Sequence, residues 1–251
     1  MAVGVGSVAI VGAGDYIGAA IARRFAAGGY HVHGGRRQGE KLGGLEAEIA
    51  AAGGAFTGQS LDARDEAAVA SFLAAAGADA AAPLRLVIFN IGANVRFPLL
   101  DTTERVFRKV WEMACYAGFL TGREAARRML AQGGGGSIFF TGATASLRGG
   151  SGYAAFSAAK AGLRAVAQSM ARELGPQNIH VAHLVIDAGV DTAWVRERIA
   201  EAAGTGGVPA DLPPDRLMDP ASIAETYWQL HHQPRDAWTH ELDLRPYGES
   251  W

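Results

Sequence analysis

Cysteine is almost missing from this chain of 251 residues: Cys115 stands alone, so no disulfide forms within one molecule. Its setting, MACYAGF, reads as a helix face on which Cys serves as a small hydrophobe. A reducing cytoplasm is the expected location, and no metal site is expected. Lysine is nearly as scarce. Lys41, Lys109 and Lys160 are the only three, and arginine carries the rest of the positive charge. The chain has no basic tract and a net charge of −2, which excludes the electrostatic footprint of a nucleic-acid or anionic-membrane binder. No apolar run approaches a membrane-spanning length. The apolar opening lacks a cationic segment and is broken by Gly and Asp, so a signal peptide is not expected. The partners that remain are small molecules and copies of the chain itself.

Hydrophobic residues make up 49% and charged residues 19% of the sequence, a globular composition without a large disordered tail. Short β-branched runs alternate with longer Ala-rich stretches of helical period, the order of a parallel sheet with helices on both faces. Strands are predicted near Val8–Val11, Tyr30–Gly34, Ala55–Ser60, Arg85–Asn90, Ser137–Thr141, Ile179–Val185 and Thr239–Leu244. Helices are predicted at Ile17–Ala27, Glu40–Ala52, Asp65–Ala76, Thr102–Ala131, Tyr153–Leu174 and Ala221–His231. QGGGG, residues 132–136, reads as a helix cap and turn. GTGGVPADLPPD, residues 204–215, stops any regular element; with the residues before it, at about 190–216, it reads as a substrate lid or as a plain surface loop. No linker divides the chain, so residues 1–251 are expected to form one domain.

VAIVGAGDYIGAAIARRF places Gly12, Gly14 and Gly18 between the first strand and a helix beginning at Ile17. Glycines suit that place because the chain must turn tightly and bring backbone N–H groups to a pyrophosphate at a helix N-terminus. Gly12, Gly14, Ile17 and Gly18 are therefore candidate cofactor contacts. HGGRR at the end of the second strand offers Arg36 and Arg37 where an NAD site would carry an acidic residue. Arginine there favours a 2′-phosphate, hence NADP, with NAD as the alternative. Asp15 inside the turn works against a nearby phosphate.

These glycines, LDARD at 61–65, FNIGA at 89–93, TGATAS at 141–146 and FSAAK at 156–160 follow one another in the order and spacing of the short-chain dehydrogenase/reductase family, which the chain resembles over nearly its whole length. The resemblance implies a three-layer, doubly wound Rossmann-type α/β fold with a parallel sheet of about seven strands. It also implies NAD(P)H chemistry on a carbonyl or alcohol carbon, and a homodimer or homotetramer. Carried over residue by residue, Asp62 matches the acidic residue that meets the adenine, and Asn90 and Gly92 match the segment beside the adenosine ribose. Thr192 resembles the threonine that contacts the nicotinamide amide, although the preceding Pro-Gly is missing. Tyr16 stands where the family's middle glycine belongs. The catalytic positions depart further: Phe156 replaces the Tyr, Ala143 the Ser and Cys115 the Asn, and only Lys160 remains.

Phe has no ionisable group, so no proton comes from position 156, and losing a positioned acid typically costs ~10²–10⁴ in rate. Lys160 binds ribose hydroxyls without that Tyr, which supports cofactor binding more firmly than turnover. Tyr153, three residues earlier, is the first replacement acid to consider, with Tyr116, Thr144 and Asp187 behind it. Three readings stay open. The first is an NADP-dependent oxidoreductase for a carbonyl, alcohol or enone with non-standard proton delivery. The second is a dinucleotide-binding sensor or assembly subunit, and the third a non-redox enzyme of the same fold. Trp194 reads as part of the substrate cover, and Trp238, Tyr247 and Trp251 as a subunit interface.

Overall fold

A computed structural model describes residues 5–204, 212–213 and 215–249. Seven strands form one sheet in the order β3-β2-β1-β4-β5-β6-β7, every pair parallel. They are β1 (Ser7–Val11), β2 (His31–Arg36), β3 (Ala55–Ser60), β4 (Leu84–Phe89), β5 (Gly136–Thr141), β6 (Ile179–Ile186) and β7 (Glu241–Leu244). The helices are α1 (Ile17–Ala27), α2 (Gly43–Ala51), α3 (Glu66–Ala76), α4 (Glu104–Trp111), α5 (Ala117–Gln132), α6 (Ala154–Leu174), α7 (Ala193–Ala203) and α8 (Pro220–His231).

Side chains alternate across a strand, and helices on both faces make both sets apolar. On β1 and β4, Val8, Ile10, Leu86 and Ile88 pack with Ile21 and Phe25 of α1 and Ile223 and Tyr227 of α8. Ala9, Val11, Val87 and Phe89 face the other way, onto Leu73 of α3, Met129 of α5 and Leu163 of α6. The central strands therefore read as near-continuous hydrophobic runs, interrupted in β4 by Arg85. Their order reverses between β1 and β4, and the chain leaves these two neighbours in opposite directions, opening a crevice at their carboxyl ends.

Helix ends follow their caps. The side chains of Asp65, Thr103, Thr192 and Asp219 each accept from a backbone N–H in the first turn of α3, α4, α7 and α8. Gly133 closes α5 at φ 71°, as the QGGGG turn predicts. Two expectations change. The helix expected over 102–131 is two α-helices joined by a π-helical turn, Glu112–Tyr116, because one extra residue per turn is accommodated there without ending the helix. The helix expected from Tyr153 starts at Ala154, with Tyr153 as its N-cap at φ −112° and ψ 20°. Of the lid segment, 193–203 is α7; residues 205–211 and 214 lie outside the described residues, as does Trp251.

Candidate functional site

Two cavities adjoin at the carboxyl end of the sheet. One, of about 850 Å³, runs from the glycine turn past Asn90 and Gly92 to Lys160, Tyr153, Thr192 and Trp194. The other, of about 500 Å³, lies beyond Gly12 and Gly14 and is walled by Arg36, Arg37, Asp62, Arg64 and Met113. Gly12, Gly14, Asn90 and Gly92 border both.

The turn between β1 and α1 needs its glycines for two reasons. Gly12 has φ 97°, and a Cβ on it would sit 2.9 Å from the backbone of Asn90; a Cβ on Gly18 would sit 2.8 Å from the backbone of Gly12 and Ala13. Gly14 and Gly92 differ, since a Cβ on either would meet nothing within 4 Å. Their bare backbone flanks open space, the kind of cradle in which backbone N–H groups at a helix N-terminus can meet an anion. Asn90 turns inward: its Nδ2 donates to Gly12 O at 3.1 Å, and its Oδ1 accepts from the Thr141 hydroxyl at 3.0 Å. It shapes the turn. Ile17 opens α1 and lines the larger cavity.

Tyr16 is the anomaly in this cradle. Its hydroxyl accepts from the Ala193 N–H at 3.2 Å, and the side chain bridges the glycine turn to the start of α7. The residue lines both the main cavity and a hollow beside Arg23, Arg24 and Asp219, so it forms a partition between them. Thr192 lines the same cavity while its Oγ1 accepts from Val195 N at 3.1 Å.

At the far end the charges are largely paired. Arg36 Nη1 donates to Asp15 Oδ1 at 2.6 Å, which pairs the carboxylate in the turn with one N–H of the guanidinium read as a phosphate contact. Asp62 is gripped by Arg64 through two side-chain hydrogen bonds of 2.9 and 2.6 Å, and these hold its carboxyl down at about 2. Arg37 is exposed on the same wall, and its charge also helps to hold the Asp62 carboxyl down.

Lys160 is 2% exposed, on α6 one turn beyond Phe156. Its Nζ donates to Thr141 O at 2.8 Å and Ile91 O at 3.1 Å, joining the ends of β5 and β4. Burial lowers its pKa to about 8. An apolar cluster adjoins it. Phe156 and Cys115 belong to one apolar cluster with Val110, Ala114, Ala145, Ala155 and Ala159, against which Ala143 and Tyr153 pack. Cys115 sits in the π-helical turn, and burial pushes its thiol up. Tyr153 is half-buried on the cavity wall, with the Arg96 guanidinium 5.9 Å from its ring centroid. Tyr116 instead stacks on Trp111, ring centroids 6.0 Å apart. Asp187 is 4% exposed and accepts from Thr144 and Arg245. Burial works to raise its pKa, but those hydrogen bonds outweigh it and hold the carboxyl below its usual range. Thr144 and Asp187 thus occupy each other.

The family model for short chain dehydrogenases matches residues 7–202. The chain belongs to the short-chain dehydrogenase family. An L-rhamnose 1-dehydrogenase (NAD(P)(+)) of Azotobacter vinelandii is 30% identical over 223 residues, 87% of this chain and 86% of that one. The 3-oxoacyl-[acyl-carrier-protein] reductase MabA of Mycobacterium tuberculosis is 30% identical over 224 residues, 87% and 82% of the two chains. A crystal structure of a short-chain dehydrogenase from Rhodopseudomonas palustris is 59% identical, covers 96% of this chain and 99% of its own, and superposes with a TM-score of 0.81.

As a short-chain dehydrogenase this molecule is an oxidoreductase by family, and its family binds nicotinamide dinucleotides. Three features of its site were not read from the sequence. The π-helical turn carries Met113 to the smaller cavity and Cys115 into the apolar cluster of Phe156, with no local residue signal for it. The Tyr16 tie to α7 spans 177 positions, and the Asp187–Arg245 pair spans 58. No group of three or more His, Cys, Asp or Glu that could hold a metal ion occurs among the described residues. None of their helices is long and apolar enough to cross a membrane. Trp238 stacks on His180 of its own chain, centroids 4.9 Å apart, whereas Tyr247 is exposed.

Proposed function

We propose that this chain is an NADP-dependent oxidoreductase that acts on a carbonyl, alcohol or enone and draws its proton from a group other than residue 156. One observation carries the reading: a single cavity joins the glycine cradle to Lys160 and to the Tyr153 face of α6. In this reading Gly12, Gly14, Gly18 and Ile17 hold the pyrophosphate, Asn90 shapes the turn, and Lys160 and Thr192 hold the nicotinamide half. Arg36, which keeps N–H donors beyond the one given to Asp15, carries the NADP preference together with Arg37; the name of the Azotobacter relative allows either dinucleotide. When bound, the dinucleotide supplies or accepts the hydride.

What the chain itself must do is position the substrate and manage one proton. Lys160 has a third N–H beyond the two given to Ile91 and Thr141, and that N–H serves a ribose hydroxyl. Tyr153 lines the cavity, and in this reading its phenol is the proton donor or acceptor for the reacting oxygen. Phe156 and Ala143 keep the neighbouring wall apolar. With an enone, hydride addition at the β-carbon leaves an enolate that solvent can protonate, so that reaction depends least on the absent Tyr.

Nicotinamide fluorescence during an NADPH titration tests the first half. A panel of ketones, aldehydes and enones, followed by NADPH consumption for wild type and Tyr153→Phe, tests the second. We expect micromolar binding and at least a tenfold loss of turnover in Tyr153→Phe. Binding without turnover of any carbonyl or enone makes the chain a dinucleotide-binding protein instead, and no binding at millimolar NADPH removes both.

A further inference from the structure

The substrate end of the main cavity carries charge that a dinucleotide leaves unexplained. Arg148, in the loop after β5, and Arg198, on α7, both line it. The Arg148 side chain is 63% exposed and lies 3.9 Å from Asp187, whose carboxylate already accepts from Thr144 and Arg245. The Arg198 guanidinium lies 5.1 Å from the centroid of the Trp194 ring, one helical turn back. No carboxylate pairs with Arg198 among the described residues. Asp15 on the cavity wall is paired with Arg36 and Asp191 with Arg196; Glu197 and Glu201, which flank Arg198 on α7, are exposed to solvent. Beside these two cations the wall is apolar, formed by Phe156, Val190, Trp194, Val195 and Ile199.

Guanidinium groups bind carboxylate and phosphate through paired N–H donors. A cleft walled by one sign of charge concentrates the opposite sign. Resting on the oxidoreductase reading above, we propose that the substrate is an anionic carbonyl compound. Its carbonyl-bearing apolar body lies against Trp194, Val195 and Ile199, and its carboxylate or phosphate group is held by Arg148 and Arg198.

The test separates charge from shape and binding from turnover. Octanoate and octanamide, nearly equal in shape, are titrated into the full chain by calorimetry at low ionic strength, with and without saturating NADP. We expect octanoate to bind at least tenfold more tightly than octanamide in both conditions. The gap should shrink to less than threefold in Arg148→Gln/Arg198→Gln, with the urea midpoint of that variant near wild type. Equal affinities, no binding of either compound, or a gap that survives the double substitution overturns the proposal. So does loss of octanoate binding on adding NADP, which would assign the two arginines to cofactor phosphates. A charge-dependent gap in a protein that turns over no carbonyl keeps the anion site and removes the redox reading. Carbonyl turnover with no gap does the reverse.

Discussion

Replacing Lys160 by Met separates a ligand-binding lysine from a structural one. A drop in pKa from 10.5 to about 8 on burial means that holding the ammonium inside costs roughly 3 kcal/mol at neutral pH, at ~1.36 kcal/mol per pKa unit. Met removes that cost and fills much of the same space. It also leaves Thr141 O and Ile91 O without the donor they now share, at about 1–2 kcal/mol for each carbonyl that water does not reach. The two terms nearly cancel. Urea unfolding by linear extrapolation should therefore place Lys160→Met within about 2 kcal/mol of wild type at pH 7, while NADPH affinity by nicotinamide fluorescence falls at least tenfold. The pH dependence supplies a sign. Between pH 8 and 10.5 the unfolded chain keeps a proton on Lys160 that the folded chain has released, so wild type gains stability relative to the variant as pH rises. A variant that loses more than about 4 kcal/mol while binding NADPH as wild type does would show a structural lysine. A stability difference that stays flat from pH 8 to 10.5 would refute the buried ammonium.

Three more outcomes follow from the same geometry. Burial pushes His33, His183 and His231 to about 4 from an ordinary 6.5, so the unfolded chain takes up protons first as pH falls. Stability present above pH 6.5 should drop between 6.5 and 4, by roughly 2 kcal/mol per histidine at pH 5, and equal urea midpoints at pH 7 and 5 would contradict this. Phe156→Tyr returns a phenol to the cavity wall one turn before Lys160. NADPH-driven carbonyl reduction should rise by about 10–10²-fold, below the full ~10²–10⁴ of a positioned acid because Ala143 and Cys115 remain; an unchanged rate would mean that the reacting oxygen does not sit there. Tyr16→Gly removes the ring from the glycine turn along with its bond to Ala193. NADPH should bind several-fold more tightly, and an unaltered Kd would show that the ring lies outside the phosphate path.

The parallel α/β order and the glycine turn were legible in the linear sequence, because each rests on residues close together in the chain. Alternating β-branched runs such as VAIV need both faces buried, and Gly12 needs φ 97°. The loss of acid at position 156 was legible too, since no fold gives Phe a proton. Where partners come from distant segments, only the tertiary structure decided. Asp15 pairs with Arg36 from across 21 positions, on the wall of the smaller cavity that Arg37 also lines. Phe156, Ala143 and Cys115, far apart along the chain, meet in one apolar cluster beside Lys160, so the three positions act as a single hydrophobic wall. The physical reason is range: backbone conformation and helical period are set within a few residues, whereas pairing of charge and sharing of a core depend on which strand ends the sheet brings together.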